Sequence, residues 1–238
     1  MGERVGRFEM KYLIGKSDYH LLRQMLPKIL KLDPNNMSGE SYNIRSVYFD
    51  DPFDSAFYEK IDGVFERKKF RMRYYDYSDK FIKLEKKEKV GGVTYKTDMV
   101  IDKEIVQTAI KEPLYLDISK YKDPLYQEFV LDCKMKRLAP KVIVQYNREA
   151  FLLNYEGIRI CFDSRIMTAL PSEDAFSEAL VTTPIMHEPL YVFEVKYKRF
   201  LPNYVREMIQ LIDTTQTAFS KYGLSRQVLD RHFKFTRF

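Results

Sequence analysis

Glu194, Lys196 and Lys198 share one parity of the segment running from Tyr191, while Tyr191, Phe193, Val195 and Tyr197 take the other. Strict alternation of this kind marks a β-strand with one apolar and one charged face. The pattern recurs with the same ion types along the chain. Arg7, Glu9 and Lys11 share a parity, as do Arg71 and Arg73, and Lys83, Glu85, Lys87 and Lys89. Tyr146 pairs in the same way with Arg148, and Arg159 with Asp163. An ordinary solvated sheet face carries Thr, Ser, Gln and Asn as readily as charge; here Arg or Lys stands on each of these strands. Like charges opposed across neighbouring strands repel, so a polyanion held between them explains the recurrence. Taken singly, Arg71 and Arg73 fit a wet strand face, Glu194 with Lys196 fits a cross-strand ion pair, and Tyr146 fits a core position.

The elements that must position these residues read as follows. Gly6 to Ile14 is a strand, and Ser17 is the expected N-cap of a helix with Leu21, Leu22, Met25, Leu26 and Ile29 on one face, stopped at Asp33-Pro34-Asn35. Asn43 to Phe49 is a strand, followed by a short helix through Ala56–Tyr58. Strands over Phe65–Tyr75, Lys80–Lys89 and Thr94–Ile101 are separated by the turn signals Ser78-Asp79 and Gly91-Gly92. Pro124 sits at the first position of a helix carrying Leu125, Phe129, Val130 and Cys133. Val142–Tyr155 and Ile158–Met167 form a hairpin around Glu156-Gly157. Residues 168–188 read as an irregular segment of a length often found in lids or mobile loops. Leu190–Arg199 is the last strand, before a helix with Val205, Met208, Ile209 and Ile212 and a final helix around Leu224–Phe233. Eight strands of hairpin connectivity, charged within and apolar without, predict an α+β fold: a closed or nearly closed antiparallel eight-stranded β-barrel with helices on its outer face.

The 238 residues carry a net charge of +6 and include 2 cysteines. That length suits one domain, 1–238, and no linker, repeat or low-complexity tract divides it. No apolar run reaches membrane-spanning length and no signal peptide is evident. The cysteines, Cys133 and Cys161, read as small core residues of a reduced, cytoplasmic protein. His20, His187 and His232 have no metal-ligand spacing, and no phosphate-cradling glycine loop is present. The basic balance favours anionic partners, but the charges lie within strands rather than on one helix or tail, so no nucleic acid is expected.

Arg-Phe-Glu-Met-Lys-Tyr at 7–12, Val-Tyr-Phe-Asp at 47–50, Arg-Met-Arg-Tyr-Tyr at 71–75 and Leu-Glu-Lys-Lys at 84–87 form an ordered series. Tyr-Asn-Arg-Glu-Ala-Phe at 146–151, Arg-Ile-Cys-Phe-Asp at 159–163, Phe-Glu-Val-Lys-Tyr at 193–197 and Phe-Ser-Lys-Tyr at 219–222 continue it. Together, over essentially the whole chain, they resemble the vacuolar transporter chaperone (VTC) domain, the polyphosphate polymerases of the triphosphate tunnel metalloenzyme (CYTH-like) superfamily. The resemblance implies a β-tunnel in which the γ-phosphate of ATP passes to inorganic polyphosphate with Mn²⁺ or Mg²⁺. It implies catalytic roles for Lys11, Arg71, Arg73, Lys87, Arg148, Arg159 and Lys221. Substrate would be held by Lys83, Lys96, Tyr146, Lys196, Lys198 and Ser220. Glu194 is the implied metal ligand, with Glu9, Glu85 and Asp163 as helpers or as structural partners of the lysines.

Phosphoryl transfer asks mainly for charge neutralisation and in-line positioning. Arg grips phosphate oxygens bidentately and Lys acts as a point charge, and one carboxylate can suffice for a metal that keeps waters and phosphate oxygens. Two positions depart from the family pattern. Arg7 replaces the first carboxylate of the hydrolase branch's Glu-x-Glu-x-Lys strand, which favours polymerase over triphosphatase chemistry. Ala218 stands where eukaryotic polymerases have Lys, which keeps a non-catalytic polyphosphate- or nucleotide-binding module in play. The chain is expected to be the bare tunnel domain, with neither a phosphate-sensing domain nor a membrane segment; a membrane-protein partner is compatible with it, and the sequence does not set the oligomeric state.

Overall fold

A computed structural model describes residues 6–36, 41–153, 157–186, 189–212 and 215–235, with side chains as far as residue 230. In chain order the elements are β1 (Phe8–Ile14), α1 (Lys16–Met25), β2 (Lys31–Leu32), β3 (Tyr42–Asp50), α2 (Ser55–Ile61), β4 (Glu66–Tyr75), β5 (Ile82–Val90) and β6 (Val93–Ile101). They continue with α3 (Lys103–Lys111), α4 (Pro124–Met135), β7 (Ala139–Leu153), β8 (Ile158–Ala169), β9 (Thr183–Pro184), β10 (Tyr191–Tyr197), α5 (Asn203–Gln210) and α6 (Lys221–Phe235).

One antiparallel sheet runs in the order β1-β10-β8-β7-β3-β4-β5-β6, with the two-residue β2 and β9 paired to β7 and β8. The ends of that path meet. Arg7 and Thr94 exchange backbone hydrogen bonds of 3.0 Å in both directions, an isolated bridge joining the first strand to the sixth. Gly6 permits the approach, because a Cβ there would lie 2.4 Å from Val93 Cγ1. The expected nearly closed eight-stranded antiparallel ring is therefore what the chain builds, its ends joined among the described residues by one bridge.

Alternation decides which face looks inward. On β4, Phe70, Met72 and Tyr74 turn out into a core completed by Leu84 of β5, Ile105 and Val106 of α3, and Phe129 and Val130 of α4. A second outer core joins Tyr12, Ile160, Phe162, Phe193 and Val195 to Leu22 of α1, Leu26 just after it, and Val205, Met208 and Ile209 of α5. Helix α6 is placed differently. Tyr222 and Leu229 pack with Ile44, Tyr48, Val142, Val144, Tyr146, Ile166 and Val192, largely inward positions, so α6 fills part of the ring with apolar side chains. No helix among the described residues is long and apolar enough to cross a membrane.

Some local expectations shift. Helix α1 starts at Lys16 with Gly15, which has no side chain to cap with, in the cap position, and its first turn closes from the Tyr19 N–H to the Gly15 carbonyl at 3.1 Å; Ser17 lies inside the helix. Leu21 and Ile29 are exposed, whereas Leu22 and Leu26 are buried. Helix α3 was not expected, although its buried Ile105, Val106 and Ala109 fall at helical spacing on one face. Asp123 caps α4 by accepting from the Leu125 N–H at 2.8 Å, as the Asp-Pro signal implies. The segment after β8 is pinned. The buried guanidinium of Arg45 donates to the carbonyls of Ala175 and Ser177 at 2.6 and 2.7 Å, and Tyr74 donates to the same Ala175 carbonyl. The Glu156 turn position and His187 fall outside the described residues, as does the side chain of His232.

Candidate functional site

The inward faces enclose a cavity of about 670 Å³. Its walls include Glu9 and Lys11 of β1, Arg71 and Arg73 of β4, Lys83 and Lys87 of β5, Lys96 of β6, Tyr146 and Arg148 of β7, Arg159 of β8, Glu194 and Lys196 of β10, and Ser220 with Lys221 at the start of α6. Nearly every residue singled out in the sequence is thus brought to one lumen. Glu85 is present but sits beneath the wall, 1% exposed. Lys198 is the correction. Strand β10 ends at Tyr197, parity lapses there, and the exposed Lys198 lays its stem near Gly157 at the β7–β8 turn.

The charges fall into two groups. In the first, Asp163, fully buried, takes both branches of Arg148 (Nε to Oδ1 2.6 Å, Nη2 to Oδ2 2.7 Å) and the Lys221 ammonium at 2.5 Å. Beside it Glu194 meets Lys196 at 2.7 Å, Lys221 at 3.1 Å, Arg148 at 3.2 Å and Lys11 at 3.5 Å. Burial pushes the Glu194 carboxyl up, but those cations outweigh it and hold it well below the usual carboxylate range. Lys221 reaches this cluster because it opens α6, where the Ser220 hydroxyl accepts from the Gly223 N–H at 3.2 Å and the helix dipole adds positive potential.

In the second group, Glu85 meets the Arg71 Nη2 at 2.5 Å and Lys96 at 2.8 Å. Against the upward push of burial, Arg71, Arg73 and Lys96 keep its carboxyl well below the usual range. Arg71 also donates to the Tyr48 hydroxyl at 2.8 Å, and Arg73 to the Tyr146 hydroxyl at 3.1 Å. Lys87 reaches across the seam to Glu9 at 2.6 Å. Lys83 meets Asp98 at 2.6 Å and Arg159 meets Asp33 at 2.6 Å. Those two acids were missed in the sequence: Asp98 has inward parity on β6 and was legible, whereas Asp33 lies in a turn and was not. Lys69 was missed as well, although it shares the parity of Arg71 and Arg73.

A divalent cation can be tested against these donors. Carboxylates are the hard oxygen ligands Mg²⁺ and Mn²⁺ prefer, yet among the described residues no three His, Cys, Asp or Glu side chains gather into a metal-binding group. Both Glu194 oxygens are occupied by cations. Glu9 Oε1 and Glu85 Oε1 are likewise faced by cations, Arg7 Nε at 3.3 Å and Lys96 Nζ at 2.8 Å. For any one of these carboxylates to take a metal, an anion such as phosphate must first draw the lysines and arginines away from it.

A ring of strands with its charges turned inward defines a protein of the polyanion-tunnel class. The VTC domain model matches residues 6–230, and the chain belongs to that family. No curated protein shows significant similarity to it. Among solved structures it is similar to the PH1012 protein of Pyrococcus horikoshii (12% identity, 92% of this chain and 98% of that one, TM-score 0.49). It is similar also to the PH1819 protein of the same organism (11%, 94% and 99%, 0.48) and to the Mimivirus capping enzyme triphosphatase (12%, 88% and 88%, 0.40). These likenesses are distant, and the strand ladder of the chain itself establishes the fold.

Proposed function

We propose that this protein is a metal-dependent phosphotransferase that lengthens inorganic polyphosphate with the γ-phosphate of ATP inside its tunnel, in the cytoplasm. Membership of the VTC family and the convergence of Lys11, Arg71, Arg73, Lys87, Arg148, Arg159 and Lys221 on one lumen support the reading. A terminal oxygen of the polyphosphate chain attacks the γ-phosphorus; the bond to the β,γ-bridging oxygen breaks, and ADP leaves with that oxygen. The arginines hold equatorial oxygens in place and the lysines neutralise charge spread over them. Tyr146, which accepts from Arg73, has its hydroxyl proton free to donate to a phosphate oxygen, with Ser220, Lys83, Lys96 and Lys196 nearby on the wall. Bound Mn²⁺ or Mg²⁺, held by Glu194 with Glu9 or Glu85 in support, would neutralise charge on the transferring group.

Purified protein given ATP and Mn²⁺ is expected to form acid-stable polyphosphate, and Glu194→Gln to slow that synthesis by roughly a hundredfold or more. Absence of polymer with wild type, or an unchanged rate in the variant, overturns the assignment. A binding-only module is the second reading, favoured by the full occupation of Glu194 by cations and by Ala218. It predicts tight, salt-sensitive tripolyphosphate binding without turnover.

A further inference from the structure

The register of β4, β5 and β6 sets Lys69 directly opposite Lys87, and Lys87 directly opposite Lys96. Three ammonium groups in one row across three strands are unfavourable by themselves, and two of them are relieved. Lys87 has Glu9 at 2.6 Å, and Lys96 has Glu85 and Asp98 at 2.8 and 3.1 Å. Among the described residues no carboxylate lies within ion-pair distance of Lys69. Its ammonium lies instead 5.7 Å from the ring centroids of both Tyr48 and Tyr222. A second cavity, of about 390 Å³, opens on the other side of this row, and it shares Glu9, Lys11, Lys69, Lys87 and Ser220 with the first. Lys69 therefore stands where the two cavities meet.

We propose that Lys69 is a phosphate-binding residue of the tunnel, left without an internal counter-ion so that the bound polyanion supplies it, and that binding is accompanied by proton uptake at this side chain. The inference rests on the polyphosphate reading of the same lumen. The groups facing Lys69 are Glu9 and Lys11 of β1, Tyr48 of β3, Arg71 of β4, Lys60 of α2, Lys87 of β5 and Tyr222 of α6. Burial, then Lys11 and Arg71, push the ammonium down to about 7, with Glu9 opposing. A phosphate oxygen beside it restores the ordinary range near 10.4. Between those two values the free side chain is largely neutral and the bound one charged, so each binding event takes up a proton. Below about pH 6 the free form is already charged and the uptake disappears.

The measurement is calorimetric titration of the full chain with tripolyphosphate and with long-chain polyphosphate at pH 8.5, in two buffers of different ionisation enthalpy. Lys69→Met is expected to weaken binding by roughly tenfold to a hundredfold, the worth of one charged hydrogen bond. Lys69→Arg, which keeps the charge and cannot titrate, is expected to retain most of the affinity while proton uptake falls by about one per site. The ligand's own titration contributes equally to wild type and Lys69→Arg and cancels in the difference. Lys87, held near the same value in part by Lys69 itself, does not, so the same pair is compared also on a Lys87→Arg background, where the difference is expected to persist. Uptake in Lys69→Arg equal to wild type overturns the proposal, as does undiminished affinity in a folded Lys69→Met. A wild-type chain that binds neither anion overturns the functional reading together with this one; a wild-type chain that binds, with unchanged variants, overturns this one alone.

Discussion

The lumen has two unlike sides. Around Asp163 and Glu194, carboxylates sit among Arg148, Lys196 and Lys221 at hydrogen-bonding distance, and every member is nine-tenths or more buried. Across the ring, the row Lys69–Lys87–Lys96 has like charges facing one another and, among the described residues, leaves Lys69 without an acid at ion-pair distance. A buried ion cluster is costly to break because each survivor is left desolvated and alone. An unrelieved lysine row is costly to keep, and the cost is recovered when an anion enters. The first side is built to hold its own geometry and the second to respond to a ligand.

Removing Asp163 should show the largest difference. Asp163→Ala leaves the buried Arg148 and Lys221 to share Glu194 with Lys196 and Lys11, and unfolding in urea should show a loss of about 3–5 kcal/mol. Glu85→Gln, on the responsive side, leaves Arg71 and Lys96 short of charge. It should cost less, about 1–3 kcal/mol, and should tighten tripolyphosphate binding several-fold when binding is followed without metal. If the two substitutions cost the same, and Glu85→Gln leaves affinity where it was, the distinction between the sides is lost.

Titration separates the paired carboxylates from the lysine row by sign. Glu194 and Glu85 are held below the unfolded carboxylate value, so what they contribute is fully present above about pH 4.3 and fades as acid takes the folded chain through their lower values. Lys69 and Lys87 are held down to about 7, whereas the unfolded chain keeps those protons to about pH 10.4. Between these values the unfolded state binds more protons, so this pair makes the ligand-free chain more stable as pH rises. Lys69→Met should flatten that rise and raise the melting temperature at pH 7 by a few degrees, about 1 kcal/mol; a lower midpoint would show that Lys69 is instead held in a stabilising contact. The smallest effect is expected at Lys198, outside the lumen: Lys198→Ala should stay within about 0.5 kcal/mol in stability and leave polyphosphate binding unchanged.

Much of this was legible one strand at a time. The period of two placed Lys11, Arg71, Arg73, Lys87, Arg148 and Glu194 on inward faces, and the turn signals at Gly91-Gly92 and Asp123-Pro124 marked a hairpin and a helix start. Lys198 misled because parity holds only while the strand lasts, and β10 stops one residue earlier. The irregular stretch after β8 read as a loop, but nothing local announced that its Ala175 carbonyl would be gripped by Arg45 and Tyr74 from β3 and β4.

The sequence by itself determined that the chain makes a β-rich ring with charge on one face, because side-chain alternation and turn chemistry act over a few residues. It could not determine which acid each cation would meet. Glu9 faces Lys87 across the seam, 78 residues apart, and Asp163 holds Lys221 over 58. Strand order and ring closure decide those pairings, and so decide that Glu194 lies within a crowd of cations while Lys69, among the described residues, has no acid at ion-pair distance.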